Sequence, residues 1–323
     1  MEQGNRTTVT EFIFLGLSSS REVQLALFFL FLILYISVLL GNLLLIVAIQ
    51  SDPRLNCPMY FFLAKLAFLD ICYCSVTSPK ALKDFFSSFK AISYGGCMAQ
   101  VFLIHFLGAA ELLLLVGMAF DRYMAVCRPL HYASLVNPKL CWMVVVAAWT
   151  GGLVHAVTLM SFVTELQFCG LNNTLDSFYC DIPQVAKLAC ASVSSTEIIA
   201  FASNEGVILP CFLMLIASYC FLLLKLRSYP PKARSNVTST CITHVIVIVF
   251  MFSPAIYIYW YPFRNVAVDK SVTVFHTMIF PLTNPVIYTL RNKEVASSMK
   301  RMIHRYFLLQ VGTQESYTWD KFP

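Results

Sequence analysis

The sequence predicts an all-α membrane protein, a seven-transmembrane helix bundle followed by a short amphipathic C-terminal helix. The chain of 323 residues is 58% hydrophobic and only 12% charged, whereas a soluble domain carries roughly 25% charged residues. Its apolar runs reach the roughly 20 residues that a helix needs to cross a bilayer. Polar residues recur inside these runs and would not face lipid alone, so the helices are expected to pack together.

The predicted spans divide the chain into three parts. Residues 1–23 form an extracellular amino terminus, residues 24–290 the transmembrane bundle, and residues 291–323 an amphipathic helix and cytoplasmic tail. The third and fifth spans are longer than a perpendicular helix requires, which indicates tilt or extension into the cytosol. The seven spans are residues 24–49, 58–80, 97–126, 139–161, 196–226, 238–260 and 271–290.

The distribution of basic residues predicts an extracellular amino terminus and a cytoplasmic carboxyl terminus. In that orientation the inner segments hold more Lys and Arg than the outer segments. Glycosylation sequons at Asn5 and Asn172 then lie outside, while a third sequon at Asn236 lies inside and is expected to remain unmodified. The first apolar run is too long for a signal-peptide h-region, so we expect it to act as an uncleaved anchor.

Twelve cysteines divide by compartment in this orientation. Cysteines on the outer side can form disulfides that persist, whereas those in the spans or on the inner side are expected to stay reduced. Four outer cysteines allow three pairings, among which the sequence alone does not choose. The outer cysteines are Cys97, Cys169, Cys180 and Cys190.

The third span ends on Asp121 and Arg122. An arginine is effectively always charged, and its charge is unfavourable at the end of a span unless it is paired or reaches water. Asp121 supplies an adjacent partner, and small helix movements could make or break the pair, as in a conformational switch. The alternative on these two residues alone is an arginine that snorkels to the membrane surface.

Two carboxylates, Asp70 and Glu111, lie at mid-membrane positions of spans two and three. They form either a protonated, hydrogen-bonded packing pair or a cation site with linked protonation; we favour the second, because two nearby carboxylates resist joint ionisation. Neither a nucleophile nor a metal cluster accompanies them, so catalysis is not indicated. Cys241 and His244 share a helical face but are too few to hold a metal, which favours a packing or switch contact.

The seventh span and the residues after it contain two further patterns. Pro285 removes a backbone hydrogen bond from the span, and Asn284 can help to satisfy the freed group. Residues 291–307 place apolar side chains near one helical face and basic side chains largely off it. This pattern predicts a helix on the anionic inner surface of the membrane lipid. The chain has no dense basic block that would indicate nucleic acid.

Taken together, these motifs resemble a rhodopsin-like (class A) G-protein-coupled receptor, and more narrowly a vertebrate olfactory (odorant) receptor. The resemblance runs from Asn5 to about Phe307. Departures from the family pattern are Phe120 before Asp121, Ser253 before Pro254, and Lys65 in span two. The general receptor landmarks are Asn42, Asp70, Asp121-Arg122-Tyr123, Trp149 and Asn284-Pro285-Val286-Ile287-Tyr288. The narrower match rests on PMYFFL at 58–63, MAFDRYMAVCRPLHY at 118–132, SYC at 218–220, KARS at 232–235 with Cys241 and His244, and PLTNPVIYTLRN at 281–292.

The resemblance implies disulfides between Cys97 and Cys180 and between Cys169 and Cys190. It also implies a conformational switch at the inner end and a sodium ion as the one bound cofactor. The switch residues are Asp121, Arg122, Tyr123, Tyr219, His244, Asn284, Pro285 and Tyr288. The sodium ligands are Asp70, Glu111 and Asn284.

A ligand pocket in the outer half of the bundle is implied as well. Its residues are His105, Gly108, Ala109, Leu112, Asn204, Val207, Ile208, Phe252, Ile256, Tyr259 and Thr277. No Lys or Arg lies at mid-depth there, so a small, neutral, volatile odorant is expected, while Arg264 near the mouth keeps a carboxylic acid as an alternative. The implied protein is a plasma-membrane receptor, not an enzyme, that activates a stimulatory olfactory-type G protein and raises cyclic AMP. Alternatives are a class A receptor for another small ligand, and a transporter, which the absence of internal repeats disfavours.

Overall fold

The computed structural model describes residues 9–168, 173–189, 193–260, 266–291 and 294–304. Within these ranges, the side chains of residues 193–207, 231–236, 239–240, 259–260, 266–267, 284 and 288–291 are outside the description. The predicted glycosylation sites Asn5 and Asn172 fall outside the described residues, as do Cys169 and Cys190.

Long helices account for the first six predicted spans. In the described part of the chain, six helices are long and apolar enough to cross a membrane. They are α1 (Arg21–Ser51), α2 (Pro58–Asp84), α3 (Tyr94–Cys127), α5 (Pro138–Val163), α7 (Val193–Leu226) and α8 (Pro231–Trp260). Two short helices lie between them, α4 (Pro129–Leu135) in the second inner loop and α6 (Ile182–Ala186) in the second outer loop. A 3₁₀ turn (Pro53–Leu55) joins α1 to α2.

The seventh predicted span lies in a helical run that changes its hydrogen-bonding pattern. Helix α9 (Val266–Val274) is followed by a π-helical turn (Phe275–Ile279) and then by α10 (Phe280–Arg291). A further helix, α11, covers residues 294–304, where the amphipathic C-terminal helix is predicted. Its Val295 and Ser298 are buried whereas the Arg301 side chain is 45% exposed, so one face packs on the bundle and the basic side remains outside.

Local sequence signals explain where several helices begin. Ser93 caps α3 by accepting a hydrogen bond from the Gly96 backbone N–H at 3.2 Å, and Asn137 caps α5 by accepting one from the Leu140 N–H at 2.9 Å. Proline occupies the first turn of α2, α4 and α5. At that position its missing N–H removes no intrahelical bond and its fixed φ suits the helix.

Helices α3 and α5 approach so closely that glycine is required between them. A Cβ atom at Gly152 would lie 2.7 Å from the carbonyl oxygen of Phe106 and 2.9 Å from the backbone nitrogen of Ala110. Both neighbours are backbone atoms of α3 and cannot rotate away. Small residues allow such contacts between membrane helices, where packing replaces the hydrophobic driving force.

A three-stranded sheet that the sequence did not predict packs over the outer end of the bundle. Strands β1 (Glu11–Phe14), β2 (Ala91–Ser93) and β3 (Thr174–Leu175) lie in the order β2-β1-β3. β1 is antiparallel to β2 and parallel to β3. The strands are two to four residues long, too short for a clear alternating pattern, and their pairing joins segments far apart in the chain.

A disulfide holds the second outer loop to α3. Cys97 bonds Cys180 with a Cα–Cα distance of 5.4 Å, which confirms this implied pairing. The pairing of Cys169 with Cys190 stays a prediction because both lie outside the described residues. It is supported by an antiparallel bridge between their chain neighbours Phe168 and Ala189.

Candidate functional site

A cavity of about 70 Å³ lies in the outer half of the bundle. Helices α2, α3, α5, α7 and α8 and the π-helical turn each contribute side chains to its wall. The described lining residues are Tyr73, Ile104, His105, Gly108, Ala109, Leu112, His155, Ile208, Met251 and His276.

Part of the predicted ligand-binding set surrounds this cavity. His105, Gly108, Ala109, Leu112 and Ile208 all line it. Four of them lie on one face of α3, at spacings of three and four residues, which is why a helical pattern could group them.

Other predicted ligand-binding residues lie apart from the described lining. Thr277 is buried and its hydroxyl donates to the Thr273 carbonyl oxygen at 2.8 Å. Phe252 packs on Phe212, with ring centroids 5.2 Å apart, and Ile256 packs against the hydrophobic core. The side chains of Asn204, Val207 and Tyr259 fall outside the description.

Two lining histidines were missed by the sequence analysis. His155 projects from α5, and its ring is nearly parallel to that of His105, with centroids 6.4 Å apart. His276 lies in the π-helical turn, and its ring contacts Tyr73 edge-on with centroids 5.8 Å apart. A histidine inside an otherwise apolar span was the available signal, since ionisable residues within membranes generally mark functional positions.

The second outer loop forms a roof over His105. Asp181 in this loop is buried, and its Oδ1 lies 3.9 Å from His105 Nε2. Asp181 is itself fixed, because it accepts hydrogen bonds from the Ile182 backbone N–H at 2.8 Å and the Tyr179 hydroxyl at 3.2 Å. Gln100 on α3 accepts a hydrogen bond from the Cys180 N–H at 3.1 Å and so secures the loop beside the disulfide.

The mid-membrane polar residues are buried at the centre of the bundle. Asp70 is fully buried and Glu111 is 2% exposed. Glu111 Oε1 has no hydrogen-bond partner among the described residues. Asn42 donates to the carbonyl oxygens of Val38 and Pro281, both at 3.0 Å, and thereby joins α1 to α10. The Asn284 side chain lies outside the description, so the complete sodium-ligand set stays a prediction.

At the inner end, Asp121 joins Arg122 and Tyr132 in one network. Arg122 Nη2 and Nε donate to Asp121 Oδ2 at 2.7 and 3.0 Å. The Tyr132 hydroxyl on α4 donates to Asp121 Oδ1 at 2.7 Å. Burial of the Tyr132 hydroxyl, together with its hydrogen bond to Asp121, raises the tyrosine pKa. Tyr132 was not among the predicted switch residues, because its contact depends on the fold of the second inner loop.

A second buried contact joins α7 and α8 near the same end. The Tyr219 hydroxyl and His244 Nδ1 are 2.9 Å apart, and both residues are 1% exposed. Tyr123 packs on Phe221 with ring centroids 6.3 Å apart. Pro285 is buried against Gly41 of α1, whereas the Tyr288 side chain lies outside the description.

Sequence comparison shows the family to which the chain belongs. The family profile described as olfactory receptor matches residues 31–306. The chain belongs to the olfactory receptor family. The mouse olfactory receptor 4M1 is 52% identical over 95% of this chain and 98% of its own length. The human olfactory receptor 4M1 is 50% identical over 96% and 99%. The human olfactory receptor 4N5 is 50% identical over 95% and 99%.

Membership of the olfactory receptor family indicates the general function of the protein. The olfactory receptor is a G-protein-coupled receptor and a multi-pass protein of the plasma membrane, as the sequence analysis predicts. Odorant binding and G-protein coupling are the activities that the family implies. The outer cavity and the inner Asp121 network are the two arrangements from which a function can be proposed.

Proposed function

We propose that this receptor binds a small, neutral, volatile odorant in the outer cavity and activates a stimulatory olfactory-type G protein, which raises cyclic AMP. The observation that carries the ligand assignment is the cavity wall. It combines apolar side chains with imidazole and phenol groups, and no described lining residue is Lys, Arg, Asp or Glu. A charged ligand buried there would lose hydration without a paired counter-charge, which is strongly unfavourable.

The inner network provides the resting arrangement of the proposed switch. Asp121 holds Arg122 through two hydrogen bonds, and Tyr132 adds a third contact to the same carboxylate. Breaking this network leaves a buried carboxylate unpaired, so the free energy of release must come from ligand binding and G-protein contacts. We propose that Arg122 is freed as the inner end of α8 moves outward, with Tyr219 and Tyr288 rearranging beside it.

We further propose that Asp70, Glu111 and Asn284 hold a sodium ion. Two buried carboxylates in a membrane interior favour a bound cation, since each disfavours the charge of the other. The partnerless Oε1 of Glu111 supports this assignment because a buried oxygen without a hydrogen bond is otherwise unfavourable. The amino terminus is assigned to the outside, which the disulfide between Cys97 and Cys180 supports, because disulfides persist in oxidising compartments.

The proposed function is tested by measuring cyclic AMP in cells that express the receptor with a stimulatory olfactory-type G protein. A diverse odorant panel is applied to the native receptor and to Arg122→Ala, with surface expression measured for both. We expect a dose-dependent response that the substitution abolishes. A surface-expressed native receptor with neither basal nor odorant-dependent cyclic AMP would contradict the G-protein assignment.

A further inference from the structure

Three histidines supply most of the polar chemistry of the outer cavity. His105 comes from α3, His155 from α5 and His276 from the π-helical turn, so imidazole rings approach the cavity from three separate elements. Tyr73 adds one phenol beside His276. The remaining described lining residues are Ile104, Gly108, Ala109, Leu112, Ile208 and Met251. The polar group of a ligand in this cavity must therefore hydrogen-bond mainly with imidazole.

Among these residues, His276 has the most specific features of a ligand-binding residue. Its Nδ1 is buried and has no hydrogen-bond partner in the part of the chain that the structure describes. Its ring packs between Tyr73, edge-on at 5.8 Å, and Phe280, nearly parallel at 6.2 Å. Neighbouring rings thus fix its orientation, and no described protein group takes up its Nδ1. It also lies in a π-helical turn, a rare element that occurs frequently at functional sites.

The hydrogen-bonding rules of imidazole narrow the ligand class. A neutral imidazole has one N–H donor and one nitrogen acceptor. A hydroxyl group both donates and accepts, so it can pair with either nitrogen. An ether or aldehyde oxygen only accepts and can pair with the N–H alone, while a hydrocarbon pairs with neither.

Two other ligand classes fit the cavity less well. A carboxylate would be repelled by Asp181, which is not part of the described cavity wall but has its Oδ1 3.9 Å from Nε2 of the lining His105. A metal ion would need several ligands close together, and within the described residues no group of three His, Cys, Asp or Glu side chains is arranged to hold one.

We propose that the cavity selects a small alcohol or phenol whose hydroxyl group hydrogen-bonds His276. The apolar part of the ligand packs against the apolar side chains of the wall, among them Leu112, Ile208 and Met251. This inference rests on the proposed function, since it names the ligand class of the same site.

Matched pairs of compounds test the inference. Hexanol, cyclohexanol, phenol and geraniol are each compared with their O-methyl ethers in cyclic AMP dose–response curves, alongside aldehydes, esters and short-chain acids. We expect agonists among the hydroxyl compounds. O-methylation should weaken their potency by about three- to tenfold, the range expected for loss of one hydrogen bond.

Variants at His276 separate hydrogen bonding from packing. His276→Phe should remove the potency difference between an alcohol and its ether, whereas His276→Gln, which can still donate and accept, should keep part of it. His304→Phe, at an exposed position of α11, is the matched control and should keep the full difference. Surface expression is measured for every variant.

The outcomes distinguish the ligand class from the receptor function. Activation by ethers, aldehydes, esters or acids but by no hydroxyl compound would overturn the alcohol inference and leave the receptor function standing. Equal loss of potency for an alcohol and its ether in His276→Phe would also overturn it. No response from the surface-expressed receptor to any compound would contradict the proposed function, and the ligand inference would fall with it.

Discussion

The outer cavity and the inner end of the bundle use polar residues differently. At the outer end, imidazole rings stand in a wall of apolar side chains, and His276 Nδ1 has no hydrogen-bond partner among the described residues. At the inner end, Asp121 already has its partners, since Arg122 and Tyr132 both donate to its carboxylate. The difference indicates that single substitutions can change ligand preference at one end, while every ligand depends on the same charged network at the other.

The largest effect is expected from a substitution that disrupts the outer cavity and the inner network together. Gly152→Ala would place a Cβ atom 2.7 Å from the Phe106 carbonyl oxygen. Forcing α3 and α5 apart should destabilise the receptor by about 1–3 kcal/mol or more. Surface expression should fall sharply. The control is Gly95→Ala on α3, where an added Cβ meets no atom within 4 Å. Equal expression of the two variants would contradict the close approach of α3 and α5.

The second prediction concerns the inner network alone. Tyr132→Phe removes the hydroxyl that donates to Asp121 at 2.7 Å. A hydrogen bond to a charged group is worth about 1.5–3 kcal/mol, so release of Arg122 becomes easier. Basal cyclic AMP should rise by about tenfold while the order of odorant potencies stays the same. Tyr35→Phe, which removes a hydroxyl 3.1 Å from Ser75 Oγ, is the matched control. A changed potency order in Tyr132→Phe would show that the two regions are not separable.

The third prediction concerns a substitution that should affect only the outer cavity. A Cβ atom at Gly108 would meet only the Tyr73 ring, at an ordinary contact distance of 3.8 Å. Gly108→Ala should therefore fold normally and make the cavity smaller by about one methyl group. Potency should fall by several fold for the bulkiest agonists and little for the smallest, with basal cyclic AMP unchanged. Dose–response curves for agonists of graded size measure this, and a uniform shift for all sizes would argue against a cavity at Gly108.

The smallest effect lies at the contact of α11 with the end of α1. Arg301 Nη2 donates to Asp52 Oδ2 at 2.5 Å, and this hydrogen bond, with that from the Arg54 N–H, lowers the Asp52 pKa to about 2. A lowered carboxylate pKa stabilises the folded contact above pH about 4, and the contribution is lost as the pH falls towards 2.

The docking of α11 on the end of α1 should therefore weaken across that acidic range and not near neutrality. It can be followed in the purified receptor by the distance between labels on α1 and α11. Arg301→Gln should abolish this pH dependence. An unchanged pH dependence in Arg301→Gln would mean that another group controls the docking of α11.

The sequence predicted most of the helical framework because the physical signal is local. Each predicted span lies within one helical run of the structure, since a bilayer requires about 20 consecutive apolar residues. The three-stranded sheet over the outer end escaped prediction because Phe12, Ile92 and Leu175 are distant in the chain and their strands are short.

The candidate site was predictable where its residues share one helix. His105, Gly108, Ala109 and Leu112 recur at the helical period of α3, and the motif around Asp121 is contiguous. Residues from other elements were missed, namely His155, His276 and Tyr132. Their roles depend on how α5, the π-helical turn and α4 pack against α3, which is not encoded in any one segment.

The sequence by itself determined the membrane-spanning fold, the family and the charged motif at the inner end, because hydropathy, spacing and residue identity act within single segments. Only the tertiary structure decided that three histidines surround one cavity and that Tyr132 contacts Asp121. It also decided that glycine is needed where α3 meets α5. The physical reason is that these features arise from contacts between helices, whose relative rotation and depth are set by packing of the whole bundle.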